Sequence, residues 1–265
     1  IRCLSGRTRP ESGEIRLLGR SIEDSGVREA IGLVPQEIAL YGDLTTRENL
    51  VVFAKFHGLR RQQVREKVDW ALHWTGLADR ANDLVGGFSG GMQRRVNLAC
   101  GVMHSPSVLL LDEPTVGVDP QSRHRIFEML DELSRNGTAI LLATHHLDEA
   151  QQRSDRIVIV DQGTVVADGT IDQLVEMSVG SSRLVRLRID HPLRAPLAFS
   201  DRDARSTLGQ AGEDFVSARI ENVSDQLPRL LDVVQGHGYE VSDVEVHAPS
   251  LHHVFLHLTG HELRD

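Results

Sequence analysis

The 265 residues, 40% hydrophobic and 25% charged, suffice for one large domain with a substantial core, or one domain plus a small appendix. The net charge of −9 excludes a global basic field for holding nucleic acid or an anionic membrane. No apolar run approaches the roughly 20 residues that span a bilayer, and Cys3 and Cys100 make neither a disulfide framework nor a metal spacing, as suits a reducing compartment. Ile1-Arg2-Cys3-Leu4 reads as the end of a helix running into Ser5-Gly6, so the sequence is expected to be clipped at its N-terminus. Glu14 to Leu18 and Ile31 to Val34 are short strand candidates, the second stopped by Pro35. From about Thr46 to Gly76 apolar residues recur at three- and four-residue steps, which predicts helix, and Ser89 to Met103 predicts another. Val108 to Leu111 and Ala139 to Ala143 predict parallel strands buried on both faces, joined by an amphipathic helix from Ser122 to Arg135. Ile157 to Val160 and Thr164 to Ala167 form a further strand pair. Beyond about Gly180 the pattern changes to strands at Leu184 to Ile189, Phe215 to Ile220 and Val241 to Val246, with helices at Asp225 to Gln235 and Ser250 to Leu258.

Chemistry concentrates in a few stretches. Val108-Leu109-Leu110-Leu111-Asp112-Glu113-Pro114-Thr115 ends an apolar strand in two carboxylates, at the sheet edge where open α/β sheets bind ligands. Asp112 can hold Mg²⁺ through water and Glu113 can polarise an attacking water, or the pair can be plain turn acids. Phe88-Ser89-Gly90-Gly91-Met92-Gln93 opens a helix with bare backbone N–H groups, which favours an anion but also suits an ordinary capped helix.

Together and in this order these segments resemble the ABC ATPases. Ser89-Gly90-Gly91-Met92-Gln93 is similar to the family signature, with Phe88 where Leu is usual. Asp112-Glu113 resembles the Walker B end, Gly117-Val118-Asp119-Pro120 the D-loop, Thr144-His145-His146 the switch histidine segment, and Val34-Pro35-Gln36-Glu37 the Q-loop. The resemblance covers about residues 1 to 175. It implies an α/β, P-loop NTPase core with a parallel sheet at residues 1–178, a helical subdomain at about 44–104, and a small accessory α+β domain at 181–265. It implies ATP and Mg²⁺ as cofactors, and head-to-tail pairing with a second ATPase subunit, by expectation a homodimer. Glu113 and His145 are then the catalytic residues, with His146 as the competing histidine. Gln36 and Asp112 serve Mg²⁺. Ser89, Gly90, Gly91, Met92 and Gln93 reach the other subunit's nucleotide, and Asp119 bridges the interface or simply caps a helix. The adjacent Arg94 and Arg95 are expected in surface or sheet-facing salt bridges.

The family's phosphate loop, Gly-x-x-x-x-Gly-Lys-Ser/Thr, does not occur in the 265 residues. The expectation is weak or no ATP binding and hydrolysis by the chain as given, with activity in the complete protein. The stretch 249–260, though it carries His252 and His253 where the family has acids, looks like the C-terminal segment of drug, antibiotic and lipid exporters. The resemblance thus implies a polytopic permease as partner, no nucleic acid, and a peripheral position on the cytoplasmic membrane face. Tyr41 and Leu44 are expected at the permease contact. The alternatives are a non-transport ABC ATPase, of the ribosomal or DNA-repair kind, and an inactive interaction module. His253, His257 and His261 fall at helical spacing, which predicts a solvated histidine face before a Zn²⁺ site.

Overall fold

The computed structural model describes residues 1–24, 26–178, 180, 182–201, 204–209 and 212–259. The chain forms two compact units, Ile1–His145 and His146–Asp265, so the change of pattern near residue 180 falls inside the second.

In the first unit β1 (Arg16–Leu17) and β2 (Arg20–Ser21) pair antiparallel about a tight turn. Leu18 and Gly19 both have positive φ there, 51° and 79°, as the hairpin's twist requires. β3 (Ile31–Val34) leads to α1 (Thr46–Phe56), whose Thr45 and Glu48 form a reciprocal capping box. α2 (Arg61–Trp74) follows. The helical stretch expected from 46 to 76 is therefore two helices, broken where Gly58 turns left-handed at φ 77°. α3 (Gly90–Gly101) precedes β4 (Val108–Asp112), α4 (Pro120–Arg135) and β5 (Ala139–Ala143).

β3, β4 and β5 form a parallel sheet with β4 in the middle. Leu109, Leu110 and Leu111 are buried, as a central parallel strand demands. β5 does not meet the expectation of burial on both faces. It is a sheet edge, with Ala139 exposed and Leu141 40% exposed. α3 lies close on β3: a Cβ on Gly101 would stand 2.6 Å from Val34 Cγ2, and one on Gly32 2.6 Å from the Gly101 carbonyl oxygen. One apolar cluster joins these strands to the faces of α1, α2, α3 and α4. The fully buried Asn49 fastens the loop before α1, donating to the carbonyls of Tyr41, Leu44 and Thr45 and accepting the Tyr41 N–H.

The second unit begins with α5 (Leu147–Arg153), the hairpin β6 (Ile157–Asp161) and β7 (Thr164–Gly169), and α6 (Ile171–Ser178). β8 (Arg183–Ile189), the hairpin β9 (Leu197–Asp201) and β10 (Ala204–Gly209), β11 (Phe215–Ile220), α7 (Val223–Gly236), β12 (Val241–His247) and α8 (Leu251–Thr259) complete it. β8 is the middle strand of an antiparallel sheet, flanked by β11 and β12. α7 covers one face through Leu230 and Val234. α8 packs Leu251, Val254 and Phe255 on Ile157, Ile159, Ala167 and Leu174 in a separate cluster.

Candidate nucleotide site

The carboxyl end of β4 carries the chemistry. Asp112 is half-buried at the last register position, opposite Ala143. Glu113 follows with φ 46°, a left-handed conformation that a glutamate adopts at a cost of order 1 kcal/mol or more. Its N–H donates to the Ala143 carbonyl at 2.9 Å, so the strain is held by the sheet itself.

The Glu113 side chain is 16% exposed. Its Oε1 accepts two hydrogen bonds from His145, one from the backbone N–H at 2.9 Å and one from Nδ1 at 2.9 Å. A carboxylate only accepts, so Nδ1 carries the proton and the imidazole is oriented through it. The other oxygen, Oε2, is buried and lacks a protein partner. A buried acceptor in that state is costly, and it suits an incoming water or ion-bound water. The donor set at this edge, two carboxylates and an imidazole, fits a hydrated Mg²⁺ and a phosphate group.

Arg94 departs from the expected salt bridge. Its guanidinium is buried, and it donates from Nε to the Pro114 carbonyl at 2.8 Å and from Nη1 to the carbonyls of Pro35 at 2.9 Å and Gln36 at 2.7 Å. Nη2 donates to the Glu113 carbonyl. One side chain thereby ties α3 to the loop after β3 and to the turn after β4. Burial pushes its pKa down, and the nearby carboxylates of Asp112 and Glu113 oppose that shift. Arg95 likewise donates to a carbonyl, that of Thr75 at 2.6 Å. Both arginines satisfy backbone oxygens because they lie under loops, whose carbonyls have no ladder partners.

The other residues take distinct places. Ser89 is exposed and caps α3, its Oγ accepting the Met92 N–H at 3.3 Å. Gly90 is exposed beside it. Gly91 is buried against the start of α4, where a Cβ would stand 2.3 Å from Ser122 Oγ; close packing requires this glycine. Met92 packs on the apolar cluster and Gln93 donates to the Val85 carbonyl at 2.9 Å. Asp119 caps α4, accepting the Ser122 N–H at 2.9 Å, and that bond holds its carboxyl below the usual range. Gln36 is exposed, its carbonyl fixed by Arg94. His253 bonds to Ser250, and His261 lies outside the described residues. Among the described residues the tail histidines make no metal-type cluster.

Residues 1–116 match the ABC transporter family. The chain is 36% identical over 272 residues to the linearmycin resistance ATP-binding protein LnrL of Bacillus subtilis (strain 168), covering 100% of this chain and 86% of that protein. It is 37% identical over 266 residues to the daunorubicin resistance ATP-binding protein DrrA3 of Streptomyces coeruleorubidus, covering 100% of this chain and 84% of that protein. A solved ATP-binding subunit of an ABC transporter superposes with a TM-score of 0.60 at 30% identity, over 66% of this chain and 74% of the other.

Proposed function

This chain belongs to the ABC transporter family as an ATP-binding, ATP-hydrolysing subunit, and from that premise we propose how its residues work and what they drive. The cargo is a drug, antibiotic or lipid-like compound, in keeping with the resistance and export proteins it is similar to. No helix among the described residues is long and apolar enough to cross a membrane, and the family is one of transporters, whose ATP-binding members join a membrane permease. The partner is accordingly a polytopic permease on whose cytoplasmic side this chain sits. Exposed Ile38, Tyr41 and Phe56 supply apolar surface for that contact, with Leu44 half-buried beside Tyr41.

The observation that carries the mechanism is the Glu113–His145 pair with its unpartnered Oε2. Bound ATP with Mg²⁺ supplies the γ-phosphoryl group. Glu113 Oε2 accepts a hydrogen bond from the attacking water and orients it, while His145 fixes the carboxylate through Oε1. Asp112 and Gln36 would hold a hydrated Mg²⁺, which would offset the charge on the phosphates. Ser89 and Gly90, exposed at the tip of α3, meet the γ-phosphate held by a second copy, and Asp119 lies at that interface. Gly91, Met92 and Gln93 support the tip through their packing against Ser122, the apolar cluster and Val85.

The 265 residues contain no Gly-x-x-x-x-Gly-Lys-Ser/Thr loop, so on their own they hold the β- and γ-phosphates weakly. The same feature favours the second reading, an interaction module without turnover. Phosphate release from MgATP separates the two. Background rates are expected from the 265-residue chain, and turnover once the family loop segment is joined ahead of Ile1. Glu113→Gln in the joined chain then lowers kcat on the order of 100-fold or more with nucleotide affinity kept. Turnover by the 265-residue chain overturns the need for the loop, no turnover by the joined chain favours the interaction module, and full activity of the Gln variant overturns the role of Glu113.

A further inference from the structure

We propose that the second unit carries a pocket for a small oxyanion, a phosphate or carboxylate group, walled by Arg219, His247 and His253. The register of the three-stranded sheet creates it. Arg219 of β11 and His247 of β12 both pair with Leu184 of β8, so the two bases flank one apolar residue in a single row. Paired residues share a face, opposite the one that Val185 and Leu187 bury under α7. The neighbouring rows are balanced differently: Arg186 has Glu245 beside it, and Arg188 has Asp243. In the Leu184 row the central base is replaced by a hydrophobe and both flanks are basic, so no carboxylate belongs to it.

α8 closes the row from above. His253 lines a cavity of about 30 Å³ with Leu184, Arg219, His247 and Pro249. That is room for about two water molecules, enough for the tip of an oxyanion and too little for a nucleotide. Among the described residues Arg219 makes no ion pair or side-chain hydrogen bond. His253 Nδ1 is committed to the Ser250 N–H at 3.2 Å and Oγ at 2.8 Å, which leaves Nε2 as its outward donor. Glu245 reaches the site only through His247, whose Nε2 it engages at 3.0 Å. Burial first, then the charges of His252, Arg219 and His247, push the His253 pKa down, and no carboxylate opposes them. A bound anion reverses that imbalance and protonates His253 more readily.

Histidine NMR titration of the 265-residue chain tests this, in inorganic phosphate against chloride at matched ionic strength. Phosphate is expected to raise the apparent pKa of His253 saturably, without moving His57 or His104. Arg219→Gln, an exposed change, is expected to weaken phosphate binding about 10-fold. Titrations that coincide in the two salts, or an unchanged affinity in the Gln variant, overturn the site. Vesicles of phosphatidylcholine with and without phosphatidic acid distinguish the source. Sedimentation with the acidic vesicles that Arg219→Gln abolishes marks a lipid headgroup, and phosphate binding without it marks a soluble ligand.

Discussion

Arg94 illustrates how a charge serves as a structural clamp. Four backbone oxygens around the site, at Pro35, Gln36, Glu113 and Pro114, have one common donor. Removing it leaves them without that donor, and an unsatisfied group costs about 1–3 kcal/mol where it is buried, as at Pro114, and less where solvent reaches it, not additively. Arg94→Met is therefore expected to destabilise the first unit by about 3 kcal/mol or more. Both tryptophans, Trp70 and Trp74, lie in that unit, so fluorescence during urea unfolding follows it. A loss below about 1 kcal/mol would falsify the clamp. Lysine at this position cannot replace the planar fork and is expected to recover little of the stability. The sequence offered no way to tell Arg94 from Arg95 or to see that Arg94 is buried and Arg95 half-buried, because the carbonyls that hold them come from loops far along the chain. Glu113 and His145 were legible, since each ends an apolar strand that the parallel register brings to one edge.

At the scale of elements, the join between α1 and α2 governs the helical part of the first unit. His57 closes α1 and stacks on His104, their rings 3.8 Å apart and 16° from parallel. His104 Nε2 reaches the Ile31 carbonyl at 3.0 Å, so the stack ties the helical layer to β3. Burial, and then the like charge on His104, push the His57 pKa down to about 4. Burial also lowers His104, which Lys67 reinforces and the Ile31 carbonyl opposes. Below about pH 6.5 the unfolded chain binds protons on these rings more readily than the folded chain, in which His57 takes its proton only near pH 4. Stability therefore falls as pH drops from about 6.5 to about 4, to an extent capped by the solvent that still reaches His57. The thermal midpoint at pH 5 is expected below that at pH 7.5, and His57→Phe, which keeps an aromatic ring in the stack, is expected to flatten the difference. Equal pH slopes in the two proteins would exclude the histidine stack as the cause.

The whole chain is two compact units, and their cores are separate. The first gathers around β4, while the second holds two clusters of its own, one under α7 and one under α8. A unit with its own apolar clusters is expected to fold by itself. Residues 146–265 expressed alone should give a cooperative thermal transition in circular dichroism, and a non-cooperative melt would contradict this. β9 and β10 escaped the sequence reading because their residues, Leu197–Asp201 and Ala204–Gly209, carry no clear alternation of apolar and polar positions.

The sequence by itself determined most strands and helices and the ordered motifs, because apolar period and capping chemistry act over a few residues; β2, β9 and β10 carry too little alternation to show. It also determined the family, through the spacing of short motifs along the chain. Only the tertiary structure decided that Glu113 and His145 share one hydrogen-bonded oxygen, that Gly91 is needed for packing on Ser122, and that Arg219 and His247 flank one leucine. Each of those depends on register and on which backbone groups lack a ladder partner. Residues far apart in the chain set both.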